Sequence, residues 1–440
     1  MTPTIETVRT QGLGDSTYVL VHEGIALVVD PQRDIDRFER VLDQTGADLR
    51  LVIETHVHND YVSGGLDLSR KTGAELLMPA GTAPAFRHRP AFHLEDIDLG
   101  VVTIRPIHTP GHTPEHTSYL VLVDGVEVAV FSGGSLLVGS AGRTDLLGEE
   151  RAETLARLQY GSVHRLADLP ESVGLYPTHG AGSFCTTSGA SSLTSTIGAE
   201  KTSNPVLAYE DEEAFVKGQL ADLVPYPSYY RHMGPINLMG PVELSELTVP
   251  LLETIPEDVT VIDARPIRQF AAGHLPGVVG IELRDSFGTW VGWLTEHNTS
   301  LVLILDEDQD ADEAIRQLVR IGYDDIRGIA RNPTEGRVEY QTAGPDRFAE
   351  ASVDGGQILD VRAPIEWDTG VIEDSILSYL PDLARETPPG LDPREPVWIA
   401  CGSGYRASTA AGILQDRGFE PIVLTDGGAT DVIARTSKNR

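Results

Sequence analysis

The chain has 440 residues, with 66 acidic against 34 basic side chains and a formal net charge of −32. A surface this negative repels nucleic acid and anionic lipid, so neither is expected as a partner. No apolar run nears the roughly 20 residues that span a membrane, and the start, "MTPTIETVRT", lacks the basic-then-apolar order of a secretory leader.

A cytoplasmic location is therefore the expectation. Lysine is confined to Lys71, Lys201, Lys217 and Lys438. That is a habit of salt-adapted proteins, and an arginine-favouring genome gives part of it. The two cysteines, Cys185 and Cys401, are far apart in the chain, so each reads as a single thiol of a reducing compartment rather than half of a disulfide. At roughly 100–200 residues per domain, the length allows two to four domains.

In chain order, "TYVLV" and "IALVVD" read as two strands around the turn His22-Glu23-Gly24. Ile35, Phe38, Val41 and Leu42 recur at helical spacing, and Gly46 ends that helix. Leu49 to Ile53 is a buried strand, followed by a helix from about Gly65 to Thr72. Val101 to Ile107, Thr117 to Val123 and Val126 to Phe131 are further strands. Hairpins first, then strands alternating with helices, suit two sheets packed face to face with helices outside. The C-terminal part repeats itself: "VIDARPIRQFAAGHLPG" matches "ILDVRAPIEWDTGVIED". Asp263 pairs with Asp360, Arg265 with Arg362, Phe270 with Trp367 and Gly273 with Gly370. Each copy reads as a small parallel α/β unit.

Chemistry concentrates on three loops that follow strands. "ETHVHNDY" holds His56, His58, Asp60 and Tyr61, "HTPGHTPEH" holds His112, and "YPTHGAGSFC" holds His179. Imidazoles and a carboxylate converging from separate loops suit a transition metal. "THVHNDY", "HTPGHT", "GRTD" and "PTHG" resemble the metallo-β-lactamase fold, and within it the persulfide dioxygenase branch. The resemblance implies an αββα sandwich with one Fe(II) per chain, zinc being the other candidate. In dinuclear hydrolases of this fold a histidine occupies the position of Tyr61, so Tyr61 argues for one metal. Two of the family's iron ligands fall on His56 and His112. The third, a carboxylate, falls on Gly134. Glycine has no donor atom, so either His58, Asp60 or His179 completes a different shell, or the iron is held weakly, or the site is empty. His56, His58 and His112 form a three-histidine alternative that suits zinc as well as iron. Arg143, in "GRTD", either faces the carboxylate of a glutathione-like substrate or forms a structural salt bridge.

A second site lies in "VWIACGSGYRAS". Cys401 directly follows a buried strand, and a glycine-rich turn and a helix come next. Successive amides in such a turn, with a helix N-terminus behind them, stabilise a thiolate, and Arg406 adds positive charge. "CGSGYR" resembles the active loop of rhodanese sulfurtransferases. The resemblance implies that Cys401 accepts sulfane sulfur, cradled by amides of Gly402, Ser403, Gly404, Tyr405 and Arg406, with Asp360, Arg362 and Glu366 in support. In the first copy Asp306 aligns with Cys401, so that copy is read as degenerate.

The expected organisation is a metallo-β-lactamase-fold domain over 1–240, a degenerate rhodanese-like domain over 241–340 and an active rhodanese domain over 345–440. The implied chemistry oxidises a low-molecular-weight thiol persulfide with O₂ to sulfite and transfers sulfane sulfur through Cys401, making or consuming thiosulfate. Linkage in one chain raises the effective concentration of sulfite at its acceptor. Two other readings stand beside it: a zinc thioesterase of the glyoxalase II kind fused to a rhodanese, or a metallo-β-lactamase domain that serves only for docking. A homodimer or homotetramer is expected by analogy of fold.

Overall fold

The computed structural model describes residues 3–185, 192–221, 223–244, 249–331 and 336–438. The chain divides into two compact units, Met1–Glu246 with Val319–Gly322, and Leu247–Leu318 with Tyr323–Arg440.

In the N-terminal unit, one sheet runs β1 (Thr4–Thr10), β2 (Asp15–His22), β3 (Ile25–Val29), β4 (Asp48–Ile53), β5 (Glu75–Pro79) and β6 (Arg89–Ala91), paired in that order. The second contains β7 (Ile97–Asp98), β8 (Thr103–His108), β9 (Thr117–Val123) and β10 (Val126–Gly133). A small hairpin, β11 (Leu136–Leu137) and β12 (Ser140–Ala141), precedes its last strands, β13 (Gly174–Pro177) and β14 (Ser195–Thr196). Its order is β14-β13-β10-β9-β8-β7.

Alternation along the strands builds three apolar layers. Tyr18, Leu20, Leu27, Leu51 and Ile53 of the first sheet meet Ile104, Tyr119, Val121 and Phe131 of the second. The opposite faces carry helices: Val19, Val28 and Val52 against Phe38 and Leu68, and Leu120, Val130 and Leu175 against Ala156, Val163 and Phe215. This is the expected αββα sandwich. The turn between β2 and β3 places Glu23 and Gly24 at φ 47° and 82°, the two positive values of a tight hairpin turn. Gly46, at φ 62°, ends the helix Asp36–Thr45 in the left-handed conformation expected of it. The first strand escaped the sequence reading. It lies at the sheet edge and is mostly half-exposed, so its apolar residues do not alternate cleanly.

The C-terminal unit holds two five-stranded sheets. The first contains β15 (Leu251–Leu252), β16 (Thr260–Asp263), β17 (Val279–Gly280), β18 (Leu301–Leu305) and β19 (Ile326–Arg331). The second contains β20 (Gln341–Ala343), β21 (Gln357–Asp360), β22 (Ile376–Leu377), β23 (Val397–Ala400) and β24 (Pro421–Leu424). Their orders, β15-β19-β18-β16-β17 and β20-β24-β23-β21-β22, are the same topology, and every pairing is parallel. The sequence repeat is thus a structural repeat. The geometry common to both copies is a buried fork: Arg265 binds Asp263 and donates to the Gly273 carbonyl at 2.9 Å. Arg362 binds Asp360 and donates to the Gly370 carbonyl at 2.8 Å. Each fork ties the loop after its strand to the end of the following helical turn.

Removing Asp360 leaves a buried guanidinium without its counter-charge, which costs about 3 kcal/mol. All four tryptophans (Trp290, Trp293, Trp367, Trp398) lie in this unit, so tryptophan fluorescence in urea reads its unfolding selectively. Asp360→Ala should lower the unfolding free energy by that amount and the midpoint by that amount divided by the m-value, on the order of 1–3 M at about 1–3 kcal/mol per M. Arg394→Ala, which breaks an exposed pair with Asp392, should leave the midpoint where it is.

Candidate functional sites

The metal-type residues of the N-terminal unit lie on loops at the ends of β4, β8 and β13. His56, His58, Asp60, His112, His116 and His179 are all buried. The ligand atoms of His56, His112 and His179 lie within 4.8 Å of one another, as do those of His58, Asp60 and His179.

The outer hydrogen bonds assign the imidazole tautomers. His112 Nδ1 donates to the Arg143 carbonyl at 2.7 Å. His179 Nδ1 donates to Asp15 at 2.9 Å, with Asp60 Oδ2 at 3.3 Å. Thr55 spends its hydroxyl proton on Asp30, so at 2.8 Å it accepts from His56 Nδ1. All three rings therefore turn an Nε2 lone pair inward. Burial first, and neighbouring imidazoles second, hold His56 and His112 well below the usual histidine range; burial also lowers His179, against the pull of Asp60. The rings are neutral, as ligands must be.

His56 Nε2 and His179 Nε2 face each other at 3.3 Å, close to the roughly 3.3 Å between two nitrogens bound tetrahedrally at about 2.05 Å from one metal ion. Buried His112 Nε2 has no hydrogen-bond partner among the described residues. These three nitrogens fit a divalent cation.

His58 differs. Burial alone would lower it, but Asp30 and Glu54 raise it well above the usual range. Its Nε2 lies 3.2 Å from each carboxylate and 3.0 Å from Tyr61 Oη. The Tyr61 phenol, kept protonated by burial, donates to the Asp30 carbonyl. Buried His58 Nδ1 and Asp60 Oδ1 face the cluster without a hydrogen-bond partner among the described residues. His116 is spent elsewhere: its Nε2 accepts the Gly134 amide at 2.9 Å.

Gly134 explains how the cluster closes without a carboxylate. A Cβ there would lie 2.3 Å from His112 Cδ2, and one on Gly142 would lie 2.1 Å from the Gly134 carbonyl oxygen. The His112 ring fills the space that any side chain at 134 needs. Asp15, Asp30 and Glu54 were missed as site residues by sequence reasoning. A lone acid at a strand end has many uses, and the only signal was Asp30 closing the apolar run "IALVVD".

Arg143 is buried. It forks onto Asp145 at 2.6 and 2.7 Å, donates to the Phe184 and Val224 carbonyls, and lies over the Tyr226 ring. Of its two expected roles, this geometry is the structural salt bridge. Cys185, also buried, lies 3.5 Å from Asp60 Oδ2.

In the C-terminal unit, Cys401 is buried at the end of β23, between the strand and exposed Gly402 and Ser403. The Gly404 amide donates to its sulfur at 3.2 Å, and Gly404, at φ 86°, caps the helix Tyr405–Asp416. A Cβ on Gly428 would lie 2.2 Å from the Gly402 carbonyl oxygen, so the loop closes only over glycine. Arg406 forms a two-pronged pair with Glu366. Against the upward pull of burial, that pair holds the Glu366 carboxyl low. At the matching position after β18, Gln309 accepts the Asp306 amide at 2.8 Å and donates to the Ala264 carbonyl at 2.7 Å. There the Asp306 amide, which aligns with that of Cys401, is occupied by the chain itself.

Residues 11–179 match the metallo-beta-lactamase superfamily and residues 345–435 the rhodanese-like domain. The mitochondrial persulfide dioxygenase ETHE1 of Bos taurus is 30% identical over 219 residues, covering 48% of this chain and 78% of that protein. A hydroxyacylglutathione hydrolase of Methylobacillus flagellatus is 32% identical over 168 residues, 38% of this chain. The chain spans only 62% of that hydrolase's length. A crystal structure of a metallo-beta-lactamase from Staphylococcus aureus subsp. aureus COL superposes with a TM-score of 0.70 at 29% identity, covering 75% of this chain and 99% of that one. The chain belongs to the metallo-β-lactamase superfamily, as a relative of the persulfide dioxygenases that carries a rhodanese-like domain at its C-terminal end.

Proposed function

We propose that this protein oxidises a low-molecular-weight thiol persulfide with O₂ and transfers sulfane sulfur through Cys401. The observation that carries the reading is the pairing, in one chain, of a buried imidazole cluster in a persulfide-dioxygenase-like fold with a glycine-caged cysteine in a rhodanese-like fold. In the first reaction persulfide, O₂ and water give thiol, sulfite and two protons. In the second, sulfite attacks the outer sulfur of the Cys401 persulfide, the S–S bond breaks, and thiosulfate leaves with Cys401 as thiolate. The reverse transfer, from thiosulfate to a thiol, uses the same groups.

His56, His112 and His179 would hold a single metal, which we take to be Fe(II). When bound, it supplies a site where O₂ and a persulfide sulfur meet and exchange electrons. The chain's own part is positional. Asp15, Thr55 and the Arg143 carbonyl orient the three imidazoles, and the buried surroundings keep water from competing. His58 and Asp60 stand beside the three with open, buried atoms, fit to hold or pass a proton. Tyr61 occupies the place of a second-metal ligand with a phenol that stays protonated, which favours this reading over a dinuclear zinc thioesterase. At the second site, Gly404 N–H and the N-terminus of the helix Tyr405–Asp416 stabilise the sulfur of Cys401. The first five-stranded sheet of the C-terminal unit, with Gln309 in its loop, would be a rhodanese copy that has lost sulfur chemistry. Thiosulfate and sulfite are small anions, so Arg406 and the loop amides are the groups that would meet them.

Protein purified without oxygen should carry close to one iron per chain by elemental analysis and take up O₂ with a small persulfide. Cys401→Ser should stop thiosulfate formation and leave O₂ uptake intact; loss of both would contradict two separate chemistries. His179→Ala should weaken metal binding at least about 100-fold, the upper range for losing an outer partner alone.

Gly134→Asp separates two ligand arrangements by metal content. With the His112 ring where it stands, the new side chain displaces it and metal is lost. A rise in metal affinity would instead mean that a carboxylate at 134 completes the shell and His179 does not.

A further inference from the structure

We propose that the first lobe of the C-terminal unit, which has Asp306 in place of a cysteine, is part of the sulfur-transfer site, and that Tyr405 is the positioning residue through which it acts. The proposal rests on the sulfurtransferase reading of Cys401.

The helix Tyr405–Asp416 starts where the Cys401 loop ends. Its residues 405, 408, 409, 412 and 416 lie on one face at helical spacing, and each meets the segment 270–340. Tyr405 Oη donates to the Glu282 carbonyl at 3.1 Å, and the Arg284 guanidinium lies 4.9 Å above its ring. Ser408 Oγ is 2.7 Å from Tyr340 Oη. Thr409 Oγ1 donates to the Gly280 carbonyl at 2.6 Å. Gly412 faces the Phe270 ring, with the position of a Cβ on it 3.4 Å from Phe270 Cζ, an ordinary packing distance. Asp416 accepts the Gly277 amide at 2.9 Å. The two lobes also share one apolar core, in which Phe270, Ala271 and Val278 pack with Leu359, Ile399, Ala407 and Ala411.

These contacts reach the chemistry through a short chain of bonds. Gly404, whose amide touches Cys401 Sγ, is the residue immediately before Tyr405. Tyr405 cannot shift along or about the helix axis without moving that amide. Its own contacts to the first lobe are polar and directional, to a backbone carbonyl and a guanidinium, and so specify orientation as well as burial. The matched rhodanese segment, 345–435, contains none of Glu282, Arg284 or Gly280. The lobe without a cysteine thus keeps a sulfur-handling role: it sets the aim of the helix whose capping residue, Gly404, turns its amide to the thiol.

The test uses the full-length protein and a reaction that needs no sulfur turnover. Cys401 is alkylated with iodoacetamide at fixed pH, and the rate is read by mass spectrometry on its own peptide, so that Cys185 does not contribute. Tyr405→Phe keeps the ring and removes the hydroxyl that meets the Glu282 carbonyl and the Ser286 side chain, both in the first lobe. It should slow alkylation about fivefold, the rate equivalent of one net hydrogen bond. Gln415→Ala, which removes a bond to the Glu339 carbonyl at the far end of the same helix, should keep the wild-type rate. Thermal midpoints are measured on both. Wild-type alkylation in Tyr405→Phe, or equal slowing in both variants, overturns the proposal and leaves only packing. If Tyr405→Phe does not fold, Thr409→Val, one turn further along, carries the same comparison. Failure of the sulfurtransferase reading would appear elsewhere, as sulfur transfer persisting in Cys401→Ser.

Discussion

Two neutral imidazoles set the terms for the N-terminal unit. His56 and His179 aim nitrogen lone pairs at each other across 3.3 Å in a region closed to solvent. Such a contact is repulsive unless a cation is shared, and burial opposes the proton as that cation. The surrounding polar groups are arranged around this fact. Asp30 takes protons from Thr55 and Thr178, which leaves Thr55 as an acceptor for His56. Asp15 does the same for His179 directly. Each second-layer acid thereby fixes which ring nitrogen faces inward, and so determines a ligand set from outside it. His58 is handled in the opposite way, with two carboxylates at its Nε2 that keep it a donor.

The loss of a side chain at 134 is part of the same arrangement. His112 packs between Gly134 and Gly142, with its Nδ1 on the Arg143 carbonyl. Arg143 in turn is immobilised by Asp145 and by two carbonyls from the later loops. The motif "GRTD" therefore works from the interior, where its backbone holds a ring and its charged pair holds the backbone. That accounts for an arginine so far from water, since each nitrogen of its guanidinium has an assigned partner.

Much of this was legible in the residues. Strand alternation revealed the two-sheet sandwich, and the left-handed glycine at 46 marked its helix end. The repeat between 261–277 and 358–374 aligned the Asp and Arg residues of the two copies, and the fork each pair forms is a finding of the structure. The histidines were found because each follows a strand on a glycine- or proline-rich turn. What stayed hidden is what depends on distance in three dimensions. Asp15 and His179 are far apart in the chain, and nothing local says they meet. The burial of Arg143 depends on Phe184 and Val224, whose carbonyls carry no sequence signal. The packing of the His112 ring against Gly134 is a shape relation that a missing ligand only hints at.

The C-terminal unit shows how a duplicated fold can divide its labour. Both lobes keep the same strand order and the same buried fork, so both keep the framework that presents a loop at the end of the central strand. They diverge at that loop. In one, Gly404 leaves its amide free to meet a sulfur, and Gly428 lets the chain close over it. In the other, the Gln309 side chain accepts the Asp306 amide, which aligns with that of Cys401, and donates to the Ala264 carbonyl, so this part of the loop is tied to the chain itself. The first lobe places carbonyls at 280 and 282 in register with the hydroxyls of the second lobe's helix. A lobe with these contacts fixes the position of the neighbouring helix whether or not its own loop carries chemistry.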